Sequence, residues 1–159
     1  MKDLVVIAEK EELKLVEKLG FTTGYPVLIT GVGALNVIEA LKDVPKDTRI
    51  INIGYAGSKD LPAGKFYGVD YVTLYHPNVN YFETTYNLTE TNAYKSTFDL
   101  KTCYTGCDFV LNTELSNCLF DMELAYIAAM GFKNIIAYKY VSDNLDLQEY
   151  RKAAFYGDV

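Results

Sequence analysis

Two carboxylates in the last third of the chain occupy positions from which they could serve one ligand pocket. Glu123 lies in a helix-like run over Phe120 to Gly131, and Asp143 closes an apolar strand predicted over 134–144. Ligands of α/β proteins bind outside the carboxyl ends of the strands. An aspartate at such a strand end is therefore a candidate for ligand binding or acid–base chemistry, although it could instead cap the turn that follows.

Three further acids, Glu9, Glu11 and Glu12, lie together at the start of the first predicted helix. The helix dipole favours acidic side chains in a first turn, so this run has a purely structural explanation. One of the three would still point inward. Glu123 is harder to explain structurally, because the apolar residues around it predict a mostly buried helix, where a charged group needs a partner.

Short strands alternate with helices along the chain and would position these acids. The pattern predicts strands over 4–8, 25–30, 49–54, 68–75, 102–110 and 134–144. It predicts helices over 9–19, 35–41 and 120–131, and a short helix that frays within 148–159. Residues 77–99 are rich in Asn, Thr, Tyr and Phe and predict irregular or hairpin structure. The alternation predicts a mainly parallel mixed sheet with helices on both faces, an α/β three-layer sandwich that forms a single domain over 1–159.

The composition argues against several classes of function. The 159 residues carry a net charge of -6, which disfavours nucleic acid and anionic membrane surfaces as partners. The longest apolar runs are strand-sized, and the first strand follows directly after Met1-Lys2-Asp3, so we expect neither a membrane span nor a signal peptide. Three cysteines and one histidine, without a CxxC pair, predict reduced thiols rather than a zinc site. We expect a cytoplasmic protein without a metal or cofactor.

Five segments carry a family resemblance, and they occur in the family's order. They are VVIAEKEELKLV, TGVGALNVIEAL, INIGYAGSKDLPAGKFYGVD, YTGCDFV and FDMELAYIAAMGFKNIIAYKYVSDNLD. Together they resemble the nucleoside phosphorylase and nucleosidase superfamily, especially the 5'-methylthioadenosine/S-adenosylhomocysteine nucleosidases. Each segment alone is a weak signal. The resemblance implies a nucleoside phosphorylase-like fold and cleavage of the N-glycosidic bond of a purine nucleoside by water.

Such cleavage requires a proton for the leaving purine and stabilisation of the oxocarbenium charge that develops on the sugar. The chemistry is close to glycoside hydrolysis, in which carboxylates share the acid and base roles. By the resemblance, Asp143 would be the general acid that donates towards purine N7, and its burial should raise its pKa so that it holds a proton. Glu12 is at the position that the resemblance assigns to activation of the water.

The resemblance also implies a set of substrate-binding residues: Ala56, Gly57, Phe109, Val110, Met122, Glu123 and Ser142. Glu123 would accept hydrogen bonds from the ribose 2'- and 3'-hydroxyls, and Met122 would pack on the sugar. Phe109 would stack on the purine, and the backbone of Val110 would contact the edge of the base. Core packing is an alternative explanation for Met122 and for Phe109.

The positions of the arginines distinguish cleavage of the glycosidic bond by water from cleavage by phosphate. A phosphorylase holds phosphate, usually with Arg, and the only arginines here are Arg49 and Arg151, at positions that differ from those of the family's phosphorylases. We therefore expect water as the nucleophile. A phosphate-dependent purine nucleoside phosphorylase and a non-catalytic nucleoside-binding protein of the same fold remain alternatives. Family members commonly form dimers or larger assemblies, which implies a homo-oligomer.

Overall fold

The computed structural model describes residues 2–21, 23–76, 84–88 and 98–159. The strands are β1 Asp3–Ile7, β2 Val27–Ile29, β3 Arg49–Gly57, β4 Phe66–Leu74, β5 Thr85–Asn87, β6 Leu100–Thr105, β7 Leu119–Asp121 and β8 Asn134–Asp143. The helices are a 3-10 turn Lys10–Glu12, α1 Leu13–Lys18, α2 Ala34–Leu41, α3 Leu124–Ala129, α4 Leu147–Arg151 and a π-helical turn Lys152–Tyr156. With two exceptions, the predicted strands and helices are present near their predicted positions.

The strands form one mixed sheet in which most pairings are parallel. Strand β1 lies between β2 and β3, and β3 pairs along its length with β8, all in parallel. Strand β8 is antiparallel to β4, which pairs in parallel with β6, and β6 in turn pairs in parallel with β7. A short antiparallel contact between β7 and β3 completes a closed circuit of strands. The predicted mixed sheet is confirmed.

Successive residues of the central strands belong to two different clusters of buried side chains. In β1, Val5 and Ile7 belong to the cluster that contains Leu15 and Val16 of α1. Val6 belongs to the other cluster, which contains the buried residues of α2 and α3. Neighbouring side chains of a strand point to opposite faces of the sheet, so helices contribute to the core on either side of this strand.

The predicted helix over 120–131 is wrong at its start. Phe120 and Asp121 belong to β7, where Phe120 pairs with Tyr104 of β6 and with Gly57 of β3. The helix begins only at Leu124, whose N–H donates to the Asp121 carboxylate over 2.9 Å. Pairing between distant segments therefore takes the first part of this run into the sheet.

The predicted strand over 102–110 is wrong at its end. Strand β6 stops at Thr105, which pairs with Asp121, the last residue of β7. Beyond that point the neighbouring strand offers no further backbone partner, and residues 106–118 form neither helix nor strand. Phe109 and Val110 therefore lie on an irregular segment rather than on a strand.

Part of the segment predicted to be irregular or hairpin structure is described. Within residues 77–99, β5 forms an antiparallel pair with β4 through Tyr86 and Val72, as a hairpin would. The rest of that prediction, over 77–83 and 89–97, lies outside the described residues. In the part of the chain that the structure describes, no helix has the length and hydrophobicity needed to cross a bilayer.

Candidate active site

A cavity of about 210 Å³ opens at the point where β1, β3, β7 and β8 end. All of the predicted site residues line it: Glu12, Ala56, Gly57, Phe109, Val110, Met122, Glu123, Ser142 and Asp143. The backbone explains this convergence, because Gly57 and Asp143 are the last residues of two paired parallel strands. Among the described residues, no group of three or more His, Cys, Asp or Glu side chains could hold a metal ion.

Glu12 is the member of the acidic run that points inward, and it is only 5% exposed. Its Oε1 accepts the N–H groups of Ala8 (2.8 Å) and Glu9 (3.2 Å), and its Oε2 accepts the N–H of Tyr55 (2.7 Å). Burial raises the pKa of Glu12 to about 7, against the charge of Lys139 and these N–H groups, which lower it. A carboxyl group with a pKa near neutrality can act as a general base.

Asp143 is fully buried at the end of β8. Its Oδ1 accepts the hydroxyl of Ser142 (2.6 Å), and its Oδ2 accepts the N–H groups of Leu145 (3.0 Å) and Asp146 (3.3 Å). The residue therefore does cap the following turn, and it lines the cavity as well. Burial raises the pKa of Asp143 to about 6, although these hydrogen bonds lower it. Gly57 has to be small here, since a Cβ would lie 3.1 Å from Asp143 Oδ2.

Glu123 immediately precedes α3, and its Oε2 accepts the N–H of Gly33 over 3.0 Å. The glycine turn before α2 thus supplies a partner for the buried carboxyl group. Burial, followed by the charge of Asp121, raises the pKa of Glu123 to about 8. The neighbouring Met122 is half-buried and lines the same cavity.

Sequence reasoning missed a buried ion pair beside these acids. The ammonium of Lys139, in the middle of β8, lies 2.9 Å from Asp121 Oδ2, and both side chains are at most 1% exposed. Thr105 also donates its hydroxyl to Asp121 Oδ1, over 2.5 Å. Burial opposes both charges, but the attraction between them raises the pKa of Lys139 and holds the pKa of Asp121 below its usual value. The missed signal was a lysine inside the apolar strand run NIIAYKYV.

An aromatic group that includes the predicted Phe109 forms part of the wall. The ring of Phe109 lies 5.7 Å from that of Tyr150 in α4, and Tyr150 lies 6.1 Å from the ring of Tyr55. The Tyr150 hydroxyl donates to Glu9 Oε2 over 2.6 Å. Tyr55 and Tyr150 were not predicted as site residues. Tyr55 lies in β3, just beyond the predicted strand 49–54, and the position of Tyr150 depends on how the C-terminal segment packs, which local sequence patterns do not reveal.

No protein-family model and no curated protein sequence matches the chain. Solved structures do match over nearly its whole length. One of them is MTAN, a 5'-methylthioadenosine/S-adenosylhomocysteine nucleosidase, from Chlamydia trachomatis. Its TM-score is 0.75 at 19% identity, with 97% of this chain and 89% of that chain covered. A Helicobacter pylori MTAN mutant with 5'-methylthioadenosine in its active site gives a TM-score of 0.68 at 17% identity, covering 96% and 91%.

The 5'-methylthioadenosine/S-adenosylhomocysteine nucleosidase from S. pneumoniae, solved with a transition-state inhibitor, gives a TM-score of 0.70 at 17% identity, covering 97% of this chain and 92% of that one. The chain has the fold of these nucleosidases. The predicted nucleoside phosphorylase-like α/β fold is confirmed, and so is the resemblance at the level of the fold. At these identities the comparison establishes architecture, and the activity has to be argued from the cavity.

Proposed function

We propose that this protein hydrolyses the N-glycosidic bond of purine nucleosides such as 5'-methylthioadenosine and S-adenosylhomocysteine. The observation that carries the proposal is the convergence of three buried carboxyl groups, those of Glu12, Glu123 and Asp143, on one cavity. These residues are far apart along the chain. The nucleosidase fold brings them to the end of the sheet at which α/β proteins bind ligands.

In the proposed reaction, two of the acids exchange protons with the substrate and with water. Asp143 donates a proton to N7 of the purine as the bond between C1' and N9 breaks, so that the base leaves as a neutral molecule. Glu12 accepts a proton from the water that attacks C1'. The pKa values of about 6 for Asp143 and about 7 for Glu12 support these roles, since both groups can change protonation state near neutral pH.

The remaining lining residues would bind the substrate. Glu123 would hold the ribose hydroxyls, and Met122 would pack on the sugar. Phe109 would stack on the purine, and the backbone of Val110 would contact its edge. Ala56, Gly57 and Ser142 would complete the wall around the reacting bond, with Ser142 also positioning Asp143 through its hydroxyl.

The charge of the cavity favours water over phosphate as the nucleophile. The described lining residues include six acids, Glu9, Glu12, Asp108, Asp121, Glu123 and Asp143, and neither Lys nor Arg. Without Lys or Arg among the described lining residues, no lining side chain would neutralise a phosphate dianion, and phosphate sites normally use Arg. Arg49 is engaged elsewhere, because its guanidinium forms two hydrogen bonds with the Asp3 carboxylate at 2.7 and 2.8 Å.

We also propose three finer features: a three-layer arrangement within a single domain over 1–159, which the strand–helix alternation predicted; a cytoplasmic location, which the composition predicted; and a homodimer or larger homo-oligomer, which the resemblance implied. Exposed apolar side chains of α2 support an interface. Leu35 is 84% exposed and Ile38 47% exposed, and Val32, just before the helix, both lines the cavity and is 37% exposed.

Release of adenine from 5'-methylthioadenosine tests the proposed function. The wild-type protein should release adenine and free sugar without phosphate, and Asp143→Asn should slow release by about 10²–10⁴-fold, since general acid catalysis contributes that much. Asp158→Asn, in the exposed tail, is the matched control and should keep the wild-type rate.

Other outcomes would identify the alternatives. Acceleration by phosphate, with formation of a sugar 1-phosphate, would make the protein a phosphorylase. Binding of the nucleoside without any release would favour a nucleoside-binding protein. A chain that neither binds nor cleaves purine nucleosides would refute the proposal altogether.

A further inference from the structure

The buried ion pair between Asp121 and Lys139 has no part in the proposed bond cleavage. Lys139 does not line the cavity, yet its side chain is buried among groups that do. Asp121 is fixed from three directions, by Lys139 at 2.9 Å, by the Thr105 hydroxyl at 2.5 Å and by the N–H of Leu124 at 2.9 Å. A pair held so rigidly presents its two charges in a defined orientation.

The positive end of the pair approaches Glu12. A Cβ built on Gly54 would lie 2.5 Å from Glu12 Oε2 and 3.4 Å from Lys139 Nζ, so both groups reach the same space above this glycine. Only a residue without a side chain leaves that space free. The Lys139 ammonium is therefore close enough to Glu12 to favour its ionised form.

The negative end of the pair approaches Glu123. Asp121 ends β7, Glu123 follows two residues later, and the hydrogen bond from the Leu124 N–H holds the Asp121 carboxylate against the turn that carries Glu123. Glu123 therefore has a fixed negative charge beside it. A neighbouring like charge disfavours the ionised form of a carboxyl group.

We propose that the Asp121–Lys139 pair is a positioning element that makes Glu12 the ionised member and Glu123 the protonated member of the two pocket glutamates. This inference rests on the proposed function, because it explains which glutamate is free to accept a proton from water. Enzymes commonly assign acid and base roles by giving two titratable groups different environments.

The charges around the two glutamates agree with this division. Burial raises the pKa of both groups, and Lys139 lowers both, but Asp121 acts strongly on Glu123. The result is a pKa of about 7 for Glu12 and about 8 for Glu123. Between these values the pair of glutamates holds one proton, and Glu123 is the group that carries it.

Other titratable groups face this cluster, and half of them are neutral near neutral pH. They are Glu9 and Glu11 beside Glu12, Tyr55 of β3, Cys103 of β6, Tyr126 of α3, Tyr150 of α4, and Asp108 and Asp143 across the cavity. Burial raises the pKa of the three tyrosines and of Cys103, so these four carry no charge near neutral pH. Lys139 is thus the positive charge that acts on both glutamates.

The test is a residue-specific titration of the ligand-free protein by carbon NMR of labelled glutamate side chains, with Glu12→Gln and Glu123→Gln used to assign the two signals. In the wild type, Glu12 should titrate at lower pH than Glu123. In Lys139→Met the pKa of Glu12 should rise by about one unit or more, and in Asp121→Asn the pKa of Glu123 should fall by about one unit or more. Lys133→Met, which removes an exposed lysine and changes the net charge equally, should preserve the wild-type order.

Each single variant strands one buried charge and could fail to fold, so the double variant D121N/K139M is the decisive one. It removes both charges, and in it the two pKa values should converge. Two glutamates that keep the wild-type order and separation in the folded double variant would overturn the inference. The titration does not depend on catalysis. A wild-type protein that releases no adenine would therefore refute the proposed function, and the titration would still test the role of the ion pair.

Discussion

The proposed mechanism predicts an unusual dependence of activity on pH. Glu12 must be ionised and Asp143 protonated in the same molecule. The base, however, has the higher pKa, about 7, and the acid has the lower one, about 6. Most molecules between these values therefore hold the proton on the wrong group, and only a minority is competent at any pH.

The size of that minority follows from the two pKa values. With pKa values of about 7 for Glu12 and about 6 for Asp143, the competent fraction peaks at about pH 6.5 and reaches about 6% there. At about pH 5 and about pH 8 the fraction falls to about 1%, so the rate should drop about sixfold on either side. Protonation of Glu12 causes the loss at low pH, and ionisation of Asp143 causes the loss at high pH.

The assay is kcat/KM for adenine release from 5'-methylthioadenosine across this pH range at constant ionic strength. Ser142→Ala provides a directional check, because the Ser142 hydroxyl donates to Asp143 Oδ1 and lowers its pKa. Its loss should raise the pKa of Asp143 by about one unit, move the optimum up by about half a pH unit and enlarge the competent fraction about fourfold. A flat profile, or an optimum that moves down in Ser142→Ala, would refute the assignment of acid and base.

Two further substitutions test the geometry and the burial of the acids. Gly54→Ala would place a Cβ 2.5 Å from Glu12 Oε2 and so displace the base. This displacement should lower kcat by about 10²-fold with a much smaller change in KM. An unchanged kcat would contradict the role of Glu12. Glu123→Gln tests linkage. Burial raises the pKa of Glu123 from 4.5 to about 8, so the folded state binds this proton more tightly than the unfolded state. The contribution of the Glu123 carboxyl group to stability is therefore full below pH 4.5 and declines as the pH rises to about 8. The neutral glutamine should therefore stabilise the protein by about 4 kcal/mol at about pH 8 and by less than about 1 kcal/mol at about pH 5, measured by chemical denaturation. An equal effect at both pH values would be inconsistent with a buried titrating carboxyl.

Much of the fold and the position of the candidate site could be predicted because both depend on local patterns. The apolar run over 134–144 predicted Asp143 at a strand end. The run over 49–54 stopped short of Gly57, which came from the family resemblance, and the structure shows that the two residues end adjacent strands. The acidic run predicted one inward-pointing side chain, and Glu12 has that orientation. The choice of Glu12 among its neighbours came from the family resemblance, since the helix dipole explains any acid in a first turn equally well.

The elements that were assigned wrongly depend on pairing between segments that are distant in sequence. Phe120, Leu124 and Ile127 have helical spacing, which concealed the fact that Phe120 pairs with Tyr104 and Gly57 in the sheet. The same pairing ends β6 at Thr105 and leaves the following segment irregular. The helical spacing of apolar residues within one segment does not reveal a partner strand elsewhere in the chain. Here the tertiary pairing overrides the local propensity.

Lys139 shows why the electrostatics of a site is harder to predict than its location. A lysine in an apolar strand can be buried only if a carboxylate meets it, so the sequence required a partner but could not name one among 21 acidic residues. Asp121 becomes that partner because β7 enters the sheet, and Gly54 admits the ammonium towards Glu12 because it has no side chain. Each of these conditions involves a different strand. The residues that would perform the chemistry can therefore be recognised one at a time, whereas their protonation states are set by a cluster that exists only in the folded chain.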